Sequence, residues 1–138
     1  YLAGKTLLEI YPQEAVEALL QTYQSEAHND YGAHFHVVKL LGLLQHQPSY
    51  DLIVEALHNT SPQFQKSRAA AAIALGLLQA IPAIPLLKQT LDTPIFDLKY
   101  ACLLALEQLG ENCWSEVVDD QNLLIKAKAN YKLNSNVQ

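Results

Sequence analysis

The chain has 138 residues, half of them apolar, and a formal net charge of −5. That is one domain's worth of sequence, long enough to bury a substantial core and unlike a disordered chain in composition. The acidic balance argues against nucleic acid and against an anionic membrane surface as partners, and no apolar run is long enough to span a bilayer. Two cysteines, Cys102 and Cys113, make no disulfide framework and point to a reducing, cytoplasmic setting. The chain opens on Tyr1-Leu2-Ala3-Gly4, without Met, and runs straight into helical pattern; it is expected to be a piece of a longer protein.

Residues 2–10 read as the end of a helix, with Leu7, Leu8 and Ile10 apolar. Pro12 opens the next helix, where its missing N–H has no partner to lose. Val16, Leu19 and Tyr23 share one face of it. His28-Asn29-Asp30 is polar and can start a helix that runs from Tyr31 to Gln45 with Phe35, Val38, Leu41 and Leu44 apolar. Gln47-Pro48-Ser49 breaks the pattern, and Tyr50, Ile53 and Leu57 then repeat the earlier face. Ser61 and Pro62 are a cap and a first-turn proline for an alanine-rich helix to about Gln79. Pro82 restarts the chain; Ile84, Leu87 and Leu91 give the face a third time, with Pro85 tolerated in the first turn. Thr93-Pro94 copies the start at Ser61-Pro62 for a helix from Ile95 to Leu109, in which Leu98, Cys102, Ala105, Leu106 and Leu109 are apolar, and Gly110 is a C-cap. A poorer helix is expected from Cys113 to about Lys132, interrupted at Asp119-Asp120-Gln121-Asn122, with the polar end after Asn130 fraying.

These elements repeat. Val16, Tyr50 and Ile84 are thirty-four residues apart, as are Leu19, Ile53 and Leu87, and Tyr23, Leu57 and Leu91. The last copy shortens to thirty-one: Arg68 matches Lys99, and Ala74-Leu75 matches Ala105-Leu106. Gly42, Gly76 and Gly110 are evenly spaced at thirty-four and suggest the other register, but thirty-one also aligns Ser61-Pro62 with Thr93-Pro94 to within a residue. Repeating helix pairs predict an all-α fold, a right-handed α–α superhelix of about four pairs: roughly 1–27, 28–60, 61–92 and 93–132, with a polar tail at 133–138. A tetratricopeptide reading of the same period fails on its aromatic, alanine and proline positions.

Arg68-Ala69-Ala70-Ala71-Ala72-Ile73-Ala74-Leu75-Gly76-Leu77-Leu78, followed by Pro82-Ala83-Ile84-Pro85-Leu86-Leu87, resembles the HEAT-like repeat of the phycocyanobilin-lyase (PBS lyase) type. Leu98 to Gly110 resembles a second copy. Gln45-His46-Gln47 and Gln79-Ala80-Ile81 stand where that family usually has a Gly-Asp turn. The resemblance implies a HEAT-like solenoid. It implies one of the settings in which such repeats occur: bilin lyase subunits of the E/F type, phycobilisome-degradation factors, or bacterial scaffold proteins. It carries no catalytic residues.

The second helices of such pairs usually line the concave side of the solenoid. Their non-core positions form ladders: Glu17, Asp51 and Pro85; Gln21, Glu55 and Gln89; Gln24, His58 and Asp92. This acidic strip is the expected docking surface for a partner protein, such as a phycobiliprotein or another domain of the parent chain. An ordinary solvated face gives the same pattern. The function expected is therefore a protein-binding scaffold. The alternative is a bilin lyase or isomerase subunit holding a tetrapyrrole. A DNA-binding HEAT-like glycosylase is a third possibility, disfavoured by the charge.

Otherwise no cofactor is called for. His34 and His36 point about 200° apart on a helix, and His28, His46 and His58 lack partners at ligand spacing, so the histidines read as surface groups and no metal is expected. Cys102 reads as a small buried hydrophobe. Cys113, beside Trp114 and just after Gly110, has room to be exposed, but a bilin-holding or nucleophilic thiol needs a nearby base that the sequence does not assure, so a structural role is the reading taken.

Overall fold

The computed structural model describes residues 12–26 and 29–137. Seven α-helices lie among them: α1 Pro12–Ser25, α2 Tyr31–Leu43, α3 Tyr50–His58, α4 Gln65–Leu77, α5 Ile84–Thr90, α6 Phe96–Gln108 and α7 Leu123–Val137. The described residues contain no strand. They form an all-α, HEAT-like solenoid. The expected helix over residues 2–10 lies outside the described residues.

The prolines act one step earlier than first-turn prolines would. Pro48, Pro62 and Pro82 each sit in a 3₁₀ turn, Gln47–Ser49, Pro62–Phe64 and Ile81–Ala83, that feeds the following α-helix. The alanine-rich helix therefore begins at Gln65, and Ser61 makes no side-chain cap. Asp30 does cap α2, its carboxylate accepting the Ala33 N–H at 3.0 Å. Thr93 Oγ1 accepts the Ile95 N–H at 3.2 Å just before α6.

The apolar seam is where the repeat placed it. Val16, Ile53, Leu57 and Leu87 are buried, and Leu19, Tyr23, Tyr50, Ile84 and Leu91 pack part-buried against the same core. Helices α2, α4 and α6, of equal length, stack side by side, with α4 in the middle and α3 against its other flank. Their contact is unusually close. A Cβ on Gly42 would lie 2.5 Å from the Cβ of Ala74, and one on Gly76 would lie 3.0 Å from the Cα of Ala105. No side chain larger than hydrogen fits at either glycine without moving a backbone. Ala70, Ala71, Ala72 and Ala74 are buried for the same reason: small side chains let α4 serve several neighbours at once.

The ends of the three stacked helices repeat one hydrogen-bond pattern. The N–H of His46 bonds the Leu41 carbonyl at 3.1 Å, that of Ala80 bonds Leu75 at 3.1 Å, and that of Glu111 bonds Leu106 at 2.8 Å. Each is the 6→1 bond of a Schellman turn, which needs a left-handed residue just before its donor. Those residues are Gln45 at φ 54°, Gln79 at φ 56° and Gly110 at φ 90°. Gly110 is thus equivalent to Gln79, not to Gly76, so the last repeat has the thirty-one-residue register. Gln45 and Gln47 also reach across, their Nε2 groups donating to the carbonyls of Leu77 at 3.1 Å and Leu78 at 2.8 Å.

The C-terminal part departs from expectation. Residues 113–132 do not form one helix. A 3₁₀ turn spans Trp114–Val117, and α7 starts only at Leu123 and continues to Val137, past the point of expected fraying. The polar run breaks the chain because its side chains take up backbone donors. Asp120 Oδ1 accepts the Asn122 N–H at 2.8 Å, and Asn122 Oδ1 accepts those of Leu124 and Ile125 at 3.0 and 3.2 Å. Lys99 Nζ reaches the other Asp120 oxygen at 2.5 Å. Trp114 is buried, its indole N–H donating to Glu107 at 2.6 Å.

The close approaches rank the glycines. Gly42→Ala is expected to lower unfolding free energy by about 2 kcal/mol, with Gly76→Ala costing less, because overpacking forces a shift of the backbone opposite. Gly32→Ala, whose Cβ would meet only Asp30 Oδ1 at 3.4 Å, should cost nothing. Gln79→Gly should raise stability by roughly 0.5 kcal/mol, the left-handed strain relieved exceeding the entropy added to the unfolded chain. Denaturant melts of the four variants check the order.

Candidate functional site: two faces of the solenoid

All eight residues of the expected strip, Glu17, Gln21, Gln24, Asp51, Glu55, His58, Gln89 and Asp92, are exposed, as is Pro85. They lie on α1, on α3, and on or just after α5. Among the described residues, none of the carboxylates of Glu17, Asp51, Glu55 and Asp92 forms an ion pair with a lysine or arginine. The strip crosses from helix to helix: burial, and then the negative charge of Glu55 on α3, raise the Tyr23 hydroxyl pKa on α1.

A second surface is shaped by the stacked helices. On α2, Phe35, Lys39 and Leu43 stand four residues apart, one above another. On α4, Lys66, Ala69, Ala70, Ile73 and Leu77 run up the same side. The alanines keep the floor between these rows low, and Ile95 and Asp97 close the lower end from the start of α6. The result is an apolar groove of about 590 Å³. Leu43 and Ile73 are 45% and 44% exposed on its walls, a large apolar area for a helix that is otherwise packed. Sequence reasoning missed this groove. The signal was present: α2 and α4 carry apolar residues all the way round, whereas a helix with one solvated face keeps that face polar.

The histidine reading needs correction at one position. His34 is buried, with Nδ1 2.7 Å from Ser67 Oγ and its ring 4.7 Å from that of Phe64 and 5.6 Å from that of Tyr23. It sits one turn before Val37, Val38 and Leu41 on the inner side of α2, so helical spacing places it in the core. His36 and His58 are exposed, His46 is half-buried with Nδ1 2.7 Å from Ser49 Oγ, and His28 lies outside the described residues. No group of three or more His, Cys, Asp or Glu side chains converges among the described residues.

Cys102 is buried as expected, and burial pushes its thiol up to about 12, with Arg68 only partly offsetting this. Cys113, whose exposure the sequence left open, is buried too; burial, then the charge of Glu116, raises its pKa as well. The Gly110 turn folds back and carries the Cys113-Trp114 pair under α6 rather than away from it. Both thiols are free.

Residues 67–93, from the first turn of α4 to just past α5, match the model of the PBS lyase HEAT-like repeat. The chain carries a HEAT-like repeat of the PBS lyase type. Over 131 residues, 94% of its length, it is 56% identical to uncharacterized phycocyanin operon protein Y of Pseudanabaena tenuis (strain PCC 7409), and covers 31% of that protein. Over 120 residues, 80% of its length, it is 30% identical to bilin biosynthesis protein CpeY of Synechococcus sp. (strain WH8020), and covers 27% of it. The chain thus spans about a third or less of the curated relatives it matches. The PBS lyase-type repeat coincides with the groove's central wall, since Ala69, Ala70, Ile73, Ala74 and Leu77 fall within the matched residues.

The burial of both thiols predicts their chemistry. The nucleophile is the thiolate, and at pH 8 a thiol of pKa about 12 is roughly one part in ten thousand ionised. Ellman's reagent should therefore label neither cysteine of the native protein within an hour and both at once in guanidinium. Because the native thiol holds its proton longer than the unfolded one, its contribution to stability is complete below the unfolded thiol range and is lost as pH rises from about 9 towards 12. Cys102→Ala, although less stable at neutral pH, should lose less stability over that alkaline window.

Proposed function

We propose that the chain is the repeat segment of a bilin-handling protein, and that the groove across α2, α4 and α6 holds a linear tetrapyrrole. The observation that carries this reading is the groove itself. It is open, walled by Phe35, Leu43, Ile73 and Leu77, and its volume of about 590 Å³ is within the range of small-molecule sites. A linear tetrapyrrole is flat, conjugated and largely apolar, with polar groups at its edges, which suits apolar walls with a few charged groups at the rim. The relatives named for the phycocyanin operon and for bilin biosynthesis support the same class of ligand. The part of this chain in such a protein is to bind and present; neither thiol is placed to form a bond with the ligand. Free cysteines suit a cytoplasmic location for the protein.

A second reading concerns the opposite surface and is compatible with the first. The strip on α1, α3 and α5 docks a protein partner, with a phycobiliprotein the partner proposed. Four carboxylates left without ion pairs among the described residues favour a partner that supplies positive charge or hydrogen-bond donors.

Phycocyanobilin added to the protein should shift its visible absorption, saturating at one ligand per chain, and Ile73→Glu should weaken binding at least ten-fold while leaving the melting temperature within a few degrees. A flat difference spectrum would remove the tetrapyrrole reading. For the strip, reversing charge at Glu17, Asp51 and Glu55 together should weaken capture of a phycobiliprotein and flatten its salt dependence. Unchanged affinity and salt dependence would leave the strip an ordinary solvated face.

A further inference from the structure

The groove is polarised along its length, and its charged end has an unusual composition. Leu43, Ile73 and Leu77 stand towards the C-terminal ends of α2 and α4, while Gln65, Lys66 and Asp97 stand at the N-terminal ends of α4 and α6, with Lys39 between. Lys39 interrupts an otherwise apolar row. Phe35 precedes it by four residues and Leu43 follows it by four, and its ammonium lies 5.7 Å from the centre of the Phe35 ring. Lys66 is the second residue of α4. The helix dipole disfavours a cation there, and the first turn holds no acidic residue to offset it. Lys66 is exposed and forms no ion pair among the described residues, whereas Lys88, Lys99 and Lys132 each reach a carboxylate. Two lysines and one aspartate are the charged groups that line this groove, in a chain of net charge −5.

Resting on the tetrapyrrole reading above, we infer that Lys39 and Lys66 are the carboxylate anchors of the groove, taking the two propionate arms of the ligand and fixing which of its edges enters between α2 and α4. The pyrrole plane then lies along the alanine floor under Ile73, where the apolar contact is. Asp97, at the same end of the groove but on α6, sets the direction, because a propionate turned towards α6 would meet a like charge. An anion beside the first turn of α4 also complements the dipole of that helix end. The lysines are positioning residues: they orient the ligand and make no bond to it. Lysine, a compact charge on a flexible stem, suits a carboxylate on a flexible arm better than a rigid bidentate fork does.

The test compares biliverdin with its dimethyl ester, which keeps the conjugated system and removes both negative charges. Wild type should bind the free acid at least ten-fold more tightly than the ester. Lys39→Gln combined with Lys66→Gln should bring the acid down to the ester's affinity and leave the ester within two-fold of wild type. Lys39→Arg with Lys66→Arg should restore most of the preference for the acid. Equal binding of acid and ester by wild type would overturn the anchors while leaving the groove as the site. Equal loss for both ligands in the glutamine variant would show that the lysines act through packing, and would likewise overturn the inference. If neither ligand binds wild type, the tetrapyrrole reading itself fails and the anchors fall with it.

Discussion

The structure depends on three helices being allowed to touch. At Gly42 and again at Gly76 the backbone of one stacked helix meets the alanine of the next at a distance that leaves no room for a methyl group. Helices that approach this closely exchange dispersion contacts along their whole length rather than through interdigitated long side chains. The alanines that permit the approach have a second effect. They leave the outer side of α4 with little bulk, so the longer residues on either side stand up as walls. The same substitution of small for large that tightens the interior opens a groove outside.

This accounts for the division of labour between the two sides of the solenoid. Helices α1, α3 and α5 turn a conventional apolar seam inward and a polar strip outward. The stacked helices α2 and α4 do not follow that pattern, because Leu43 and Ile73 turn apolar side chains outward as well. A solvated face needs no ligand, whereas an open apolar channel in a folded chain exposes surface that water hydrates unfavourably. The PBS lyase-type repeat maps to α4 and α5, and therefore contributes both to the groove's central wall and to the end of the polar strip. One repeat unit builds both surfaces, so a longer array of such units would extend the two together.

Much of the fold was legible in the sequence because the seam repeats. Tyr50, Ile53, Ile84 and Leu87 hold equivalent places at a fixed spacing, and a buried interface between copies imposes that regularity. The shortened last register was legible from Arg68 and Lys99, even though the glycine spacing suggested otherwise. The glycines misled because they do two different jobs: Gly42 and Gly76 allow contact between helices, while Gly110 adopts a left-handed turn that Gln45 and Gln79 adopt in the other copies. A left-handed glutamine cannot be recognised from residue type alone. His34 was misplaced because polarity was weighed above helical position, and the last helix because the carboxylates and amides before it act on the backbone rather than on solvent. The strip was legible as exposed surface. The groove was not, since a sequence pattern shows which residues are apolar but not which apolar residues lack a neighbour.

The central claim is that close stacking makes the outer side of α2, α4 and α6 the ligand-bearing surface. Methyl NMR of the chain, recorded as phycocyanobilin is added, tests it most directly, because ring currents from a bound tetrapyrrole shift the methyl groups it lies against. The account predicts that the methyls of Ile73, Leu43 and Leu77 move together and saturate, while those of Ile84 and Leu91 on the strip side stay in place. Shifts confined to Ile84 and Leu91, or none at all at Ile73, would contradict it.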